Sequence, residues 1–134
     1  MTTHIHSLFI TVIDPQSALD FYKDGIGLEV RNDVKAGEFR WITLGFPGEQ
    51  ANIVLSQPHG GRSQIDGDAL EALVSKGSMQ AAIFITDDLD ALFAKLVAMK
   101  FDVLQDPNVQ PWGVNDCAFR DPSGNMVRIQ QVAK

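Results

Sequence analysis

The residues whose types and spacing could do chemistry gather near the C-terminal end of this 134-residue chain. Asp121-Pro122-Ser123-Gly124 sets a fixed φ and then a permissive one between two apolar runs, the pattern of a tight turn inside a β-hairpin. On the arm that follows, strand alternation sends Met126, Arg128 and Gln130 to one face and Val127 and Ile129 to the other. Arg128 therefore sits mid-strand, where a guanidinium needs a carboxylate, a phosphate or an aromatic face to offset its desolvation. Two readings of it stay open at equal weight: an internal ion pair with an Asp or Glu, and a contact to a bound ligand. Trp41 and Trp112, the two tryptophans, offer the flat surfaces on which aromatic ligands stack. Trp41 lies in an apolar run, where core filling is the simpler role, whereas Trp112 in Pro111-Trp112-Gly113 is expected at a cleft wall.

Other reactive side chains lack the company that chemistry requires. Cys117 stands beside Asp116, whose charge raises a thiol pKa, and no His is within a few residues, so it is not read as a nucleophile. His59, in Pro58-His59-Gly60-Gly61-Arg62, could reach a cleft mouth, but its glycines predict a mobile loop rather than a positioned base. Gly60-Gly61 has no Lys-Ser after it and is no phosphate loop. Asp14 and Asp88 are most simply helix caps.

Composition bounds the partners. Eleven Lys and Arg against 17 Asp and Glu give a net charge of −6, which disfavours nucleic acid and anionic membrane surfaces. One cysteine excludes an internal disulfide and a thiolate zinc site and suits a reducing compartment. No apolar run is long enough to span a membrane, and Met-Thr-Thr-His-Ile-His does not open like a signal peptide, so a soluble, cytoplasmic protein is expected.

The elements that must position these residues follow in order. Residues 5–13 read as a buried strand; Asp14 caps a helix with Pro15 at its first position and the stripe Ala18, Leu19, Phe21, Tyr22, closed by Gly25 and Gly27. A strand starting at Leu28, a turn over 34–38, a strand from Phe39 to Leu44 and another from Asn52 to Ser56 complete a β-α-β-β-β order. Residues 57–79 connect, with a short helical pattern from Ala69 to Val74 capped by Asp66 or Asp68. The order then repeats: a strand over 81–86, a helix capped by Asp88, a strand over 101–104 and the final hairpin. Ile10 to Asp14 overlays Phe84 to Asp88 at an offset of 74. The chain is thus expected to be one α+β domain over 1–134, with modules at 5–56 and 80–131 joined by 57–79.

This tandem order, Asp14-Pro15-Gln16-Ser17-Ala18-Leu19-Asp20-Phe21-Tyr22 with Gly25-Ile26-Gly27-Leu28, and Phe119-Arg120-Asp121-Pro122-Ser123-Gly124-Asn125 resemble the vicinal oxygen chelate superfamily. That group includes glyoxalase I, extradiol dioxygenases and bleomycin resistance proteins. The resemblance implies a curled mixed sheet with a concave cleft that often holds a divalent metal, and a homodimer whose cleft walls come from both chains. It would place metal ligands at Ser7, Val54, Ala81 and Arg128. Ala and Val have no lone pair to offer, Ser is a poor ligand and Arg is a permanent cation, so no metal and no other cofactor is expected. A one-residue slip would offer His6 and Gln80 instead, but it would turn them to the opposite face.

Without a metal, the implied cleft is apolar with a few polar groups, the usual make-up of a small-molecule site. Its expected ligand-binding residues are Phe9, Trp41, Asn52, Val54, Trp112, Arg128 and Gln130, beside Ser7, Thr11 and Ser56. The last third is most similar to bleomycin resistance proteins, which implies binding of a small organic, aromatic or antibiotic-like molecule rather than catalysis. The alternatives are a lyase or dioxygenase of the superfamily acting on a small oxygenated substrate, a metal-free isomerase with Arg128 at an oxyanion, and a scaffold with an unfilled cleft.

Overall fold

A computed structural model describes residues 1–132. Its strands and helices are β1 (Ser7–Thr11), α1 (Pro15–Leu19), continued by a π-helical stretch over Asp20–Ile26, β2 (Glu29–Ala36), β3 (Phe39–Gly45) and β4 (Asn52–Ser56). Next come α2 (Gln64–Ser75), β5 (Gln80–Thr86), α3 (Leu89–Ala98), β6 (Asp102–Val109), β7 (Asn115–Arg120) and β8 (Met126–Gln131). Two four-stranded mixed sheets result, ordered β1-β4-β3-β2 and β5-β8-β7-β6. In each, the first strand pairs in parallel with the last, and the other pairs are antiparallel. The protein is therefore α+β, two β-α-β-β-β modules, as the sequence predicts.

Local chemistry sets most element ends. Asp14 accepts the backbone N–H of Gln16 while Pro15 opens α1, and Asp88 accepts that of Ala91 at the start of α3. Gly27, at φ 104°, ends the first helix. Gly25 does not: it lies inside the helix, where an added Cβ would sit 2.8 Å from Leu96 Cδ2 and 3.4 Å from Phe101. Its role is to let this helix approach α3. The connecting helix is also longer than the sequence pattern suggests, and its cap is Ser63, whose Oγ accepts from Asp66 N. Strand β6 continues through Pro107, which an edge strand tolerates.

The modules share one core. Ile10, Ile42, Leu44 and Leu55 of the first sheet and Cys117, Phe119, Val127 and Ile129 of the second are buried in a single cluster, with Phe21 and Tyr22 among them. A polar knot crosses the same boundary. Tyr22 donates its hydroxyl to Asp121 Oδ2 at 2.6 Å, and Asp121 Oδ1 accepts the backbone N–H groups of Ser123, Gly124 and Asn125, each at 2.9 Å. Asn125 Nδ2 donates to Asp121 Oδ2 and to Thr11 O, and Ile13 N donates to Ser123 Oγ. The last hairpin turn is thereby fastened to β1 and the first helix.

Burial first, and then the Asp121 carboxylate, push the Tyr22 hydroxyl well above its ordinary value of 10.0. Replacing Tyr22 by Phe takes a donor from a buried carboxylate, and urea unfolding at neutral pH should show a loss of about 1–3 kcal/mol. Because the folded-state value is raised, the tyrosine's contribution is complete below about pH 10 and fades as pH rises through the folded value. The gap between wild type and Tyr22→Phe should therefore narrow in strongly alkaline buffer; a constant gap would contradict the buried phenol.

Candidate ligand site

Each sheet turns one face to the core and leaves the other free. On the first sheet, Phe9 pairs with Val54 and Val54 with Thr43, so the three form a cross-strand row opposite in sense to buried Ile10, Leu55 and Ile42. Trp41 lies two residues along β3 on the same face, paired with Val34. On the second sheet, Arg128 pairs with Ile83 and Ala118, and Gln130 with Ile85 and Asp116. By the same register, Phe9–Val54 and Ile83–Arg128 occupy corresponding places in the two modules. Phe9 and Ile83 are each 67% exposed.

Arg128 is held by its own sheet. Its Nη1 lies 3.3 Å from Asp116 Oδ2 and donates to Gln105 Oε1 at 3.2 Å. Asp116 is 4% exposed and also accepts from the side-chain amides of Gln105 and Gln110 at 3.1 and 2.8 Å. The internal ion pair thus exists and offsets the cost of placing a cation on this face. It uses one nitrogen of the guanidinium; Nε and Nη2 make no hydrogen bond among the described residues and remain available. Next to this pair, burial and then the Asp116 charge push the Cys117 thiol up to about 12, which agrees with an inert thiol and adds burial as the larger cause.

The other expected ligand residues lie as follows. Val54 is half-buried at the centre of the first sheet's free face. Trp41 is half-buried, with an added Cβ on Gly60 reaching 3.2 Å from its Cζ2, so the loop after β4 packs against the indole. The Asn52 amide is engaged inside the protein: Nδ2 donates to His6 O and Gln50 O, and Oδ1 accepts from Arg31. Gln130 has no side-chain hydrogen bond among the described residues and borders a hollow of about 400 Å³ with Ile85, Val114 and Asn115. Trp112, at the tip of the β6–β7 turn, is 70% exposed. Arg128 borders a second hollow of about 330 Å³ with Gln80, Ala81, Ala82, Ile83 and Met126.

The register puts Phe9, Trp41 and Val54 on one face of the first sheet and Arg128 and Gln130 on one face of the second. The hollows at Arg128 and Gln130 are lined wholly by the second module, while Phe9, Trp41 and Val54 stand on the first sheet. A groove between the modules does exist, about 590 Å³, but Leu8, Leu28, Phe46, Ile53, Ala81, Ala82 and Phe84 dominate its lining. Leu8 and Ile53 carry the opposite alternation from Phe9 and Val54, but the expected residue Asn52 and the free-face residues Ile83 and Ile85 also line it.

The positions at which the fold could carry a divalent ion do not suit one. Ser7 Oγ is 2.6 Å from His6 Nδ1, Ala81 and Val54 bring hydrocarbon, and the Arg128 guanidinium occupies the remaining place beside Asp116. The comparison with known proteins agrees with the architecture. The sequence pattern of the Glyoxalase/Bleomycin resistance protein/Dioxygenase superfamily matches residues 4–129. The chain belongs to this superfamily. Among its relatives, the uncharacterized protein YurT of Bacillus subtilis (strain 168) is 28% identical over 123 residues, 91% of this chain and 94% of YurT. The crystal structure of UcmS2 superposes with a TM-score of 0.85 at 28% identity, covering 97% of this chain and 98% of UcmS2. TnmS3, an antibiotic binding protein from Streptomyces sp. CB03234, superposes with a TM-score of 0.76 at 25% identity over 98% of both chains.

The buried thiol gives a simple check on this sheet. Native protein should leave Cys117 unmodified by a disulfide reagent at neutral pH, with one thiol titrating per chain after unfolding in guanidinium. Rapid native labelling would mean that the sheet beside Arg128 opens.

Proposed function

We propose that this superfamily member binds a small, flat organic molecule that carries an anionic or hydrogen-bond-accepting group, without a metal and without catalysis. The observation that carries the reading is Arg128, fixed through one nitrogen by Asp116 while its other donors remain unused beside Ile83 and Ala81. An anion or an electron-rich ring on that fork gains charge-assisted or cation–π contact, and apolar neighbours take up its flat faces. Gln130 supplies a further polar contact and Trp112 a stacking surface. The similarity to TnmS3 supports a ligand of antibiotic type. A metal-dependent lyase or dioxygenase would need donors that Ser7, Val54, Ala81 and Arg128 do not bring.

The reading includes a second copy of the chain. Phe9, Ile83 and Ile85 are 67%, 67% and 61% exposed on the two free faces, more apolar surface than a monomer usually shows in adjoining strands. A two-fold arrangement that sets one chain's Phe9–Trp41–Val54 face over its partner's Arg128–Gln130 face closes two equal clefts at once. A net charge of −6 disfavours nucleic acid, and the single thiol suits a reducing cytoplasm.

Tryptophan fluorescence tests the reading. Planar aromatic acids and quinone-type antibiotics should quench it saturably, Arg128→Ala should weaken binding by about ten-fold or more, and Trp112→Phe should remove much of the quench. An absence of saturable quenching across such a panel would refute it. Sedimentation should give twice the 14.7 kDa chain mass; a monomer that still binds would remove the second copy and keep the ligand.

A further inference from the structure

We propose that His59, Asp68 and Glu71 form a zinc(II) site on α2 and the loop before it, apart from the free sheet faces. Among the described residues these three bring one ligand atom each to within 4.8 Å of one another. His59 Nε2 stands 2.8 Å from Asp68 Oδ1, and Glu71 follows Asp68 by three residues on the helix, which puts both carboxylates on one side.

The imidazole is positioned rather than loose. The loop that carries it is fixed by Gly60 N donating to Gln57 O, Arg62 N donating to His59 O and the Arg62 guanidinium donating to Pro58 O. The ring packs against α2 at Gly67, where an added Cβ would clash with Cδ2 and lie 2.7 Å from Cγ. Glycine at this place in α2 gives room for the ring that aims a nitrogen at the carboxylates. The His59 side chain is 25% exposed, sheltered yet open to an incoming ion.

The donor set selects the ion. One imidazole nitrogen and two carboxylates suit zinc, which accepts such ligands at about 2.0–2.2 Å and completes a tetrahedron with water. Magnesium and calcium prefer all-oxygen shells. Two ligands at tetrahedral angles around zinc stand about 3.4 Å apart, so the His59–Asp68 pair opens slightly and exchanges its hydrogen bond for the metal. The neutral imidazole then carries its proton on Nδ1, and the Gln64 amide, now 2.9 Å from Asp68 Oδ1, stays within reach of that carboxylate. Because Gly60 packs on Trp41, the ion would also fix the loop behind that indole.

The decisive experiment is calorimetric titration of metal-free protein with zinc, alongside its thermal midpoint and the imidazole proton signals. It should be run in a His4→Ala/His6→Ala background, because these two histidines are exposed near the N-terminus. The expected result is one zinc per chain, a raised midpoint, a selective shift of the His59 signals and no response to magnesium. His59→Ala and Asp68→Asn should each weaken zinc by at least about ten-fold, since even a hydrogen-bond partner of a metal ligand is worth that much. Unaltered affinity in either variant, or no midpoint shift at millimolar zinc, would overturn the site. The site requires no organic ligand, so it stands or falls separately from the binding reading above.

Discussion

One buried carboxylate holds the two halves of this protein in register. Asp121 accepts three backbone N–H groups of its own turn and, through its other oxygen, the Tyr22 hydroxyl and the Asn125 amide. A turn that satisfies a charge internally is rigid before it meets anything else. What it meets is the first helix and the carbonyl of Thr11, so the hairpin that carries Arg128 is oriented by residues roughly a hundred positions earlier in the chain. Hydrophobic burial supplies the larger share of stability, but it is non-directional; this knot makes the arrangement of modules specific.

The consequence for the site is a division of labour between faces. Core-facing positions on both sheets are filled by Ile, Leu, Val, Phe and Cys117, which leaves polar variation to the alternate positions. There the corresponding residues of the two modules have diverged: Val54 in one, Arg128 in the other. The superfamily's architecture is retained, with hydrocarbon at Val54 and a cation at Arg128. One scaffold can serve different chemistries through different side chains at these positions.

Much of this was readable from the chain. The Asp14-Pro15 start, the Asp88 cap, the hairpin turn and the in-out alternation of Val127, Arg128 and Ile129 are local, and local rules found them. What escaped was non-local. Gly25 looked like a helix end because the residue it makes room for, Leu96, is 71 positions away. Gly60 and Gly61 suggested a mobile loop, yet Gly60 gives room for Trp41 to pack and Gly67 for the His59 ring, and α2 begins earlier than expected, at Gln64. Alternation told which residues share a sheet face, but the relation between the sheets is set by helix packing, which no strand pattern encodes. Phe9 and Val54 were expected to share a cleft with Arg128, and the hollow beside Arg128 is lined by Gln80, Ala81, Ala82, Ile83 and Met126.

The outer borders of the two sheets carry a further meaning. Strand β2 is interrupted by a register shift at Arg31, whose guanidinium folds back onto the carbonyls of Phe46 and Glu49, and Glu29, Asp33 and Lys35 line the same strand. Strand β6 is broken by two register shifts and contains Pro107, which has no N–H to offer. Neither border presents the flat, unpaired ladder on which another chain could add a strand, so these sheets resist growth into fibrils. Two exposed ladders are thereby spoiled at low cost, and crowding or partial unfolding is less able to convert the protein into an extended polymer through its rims.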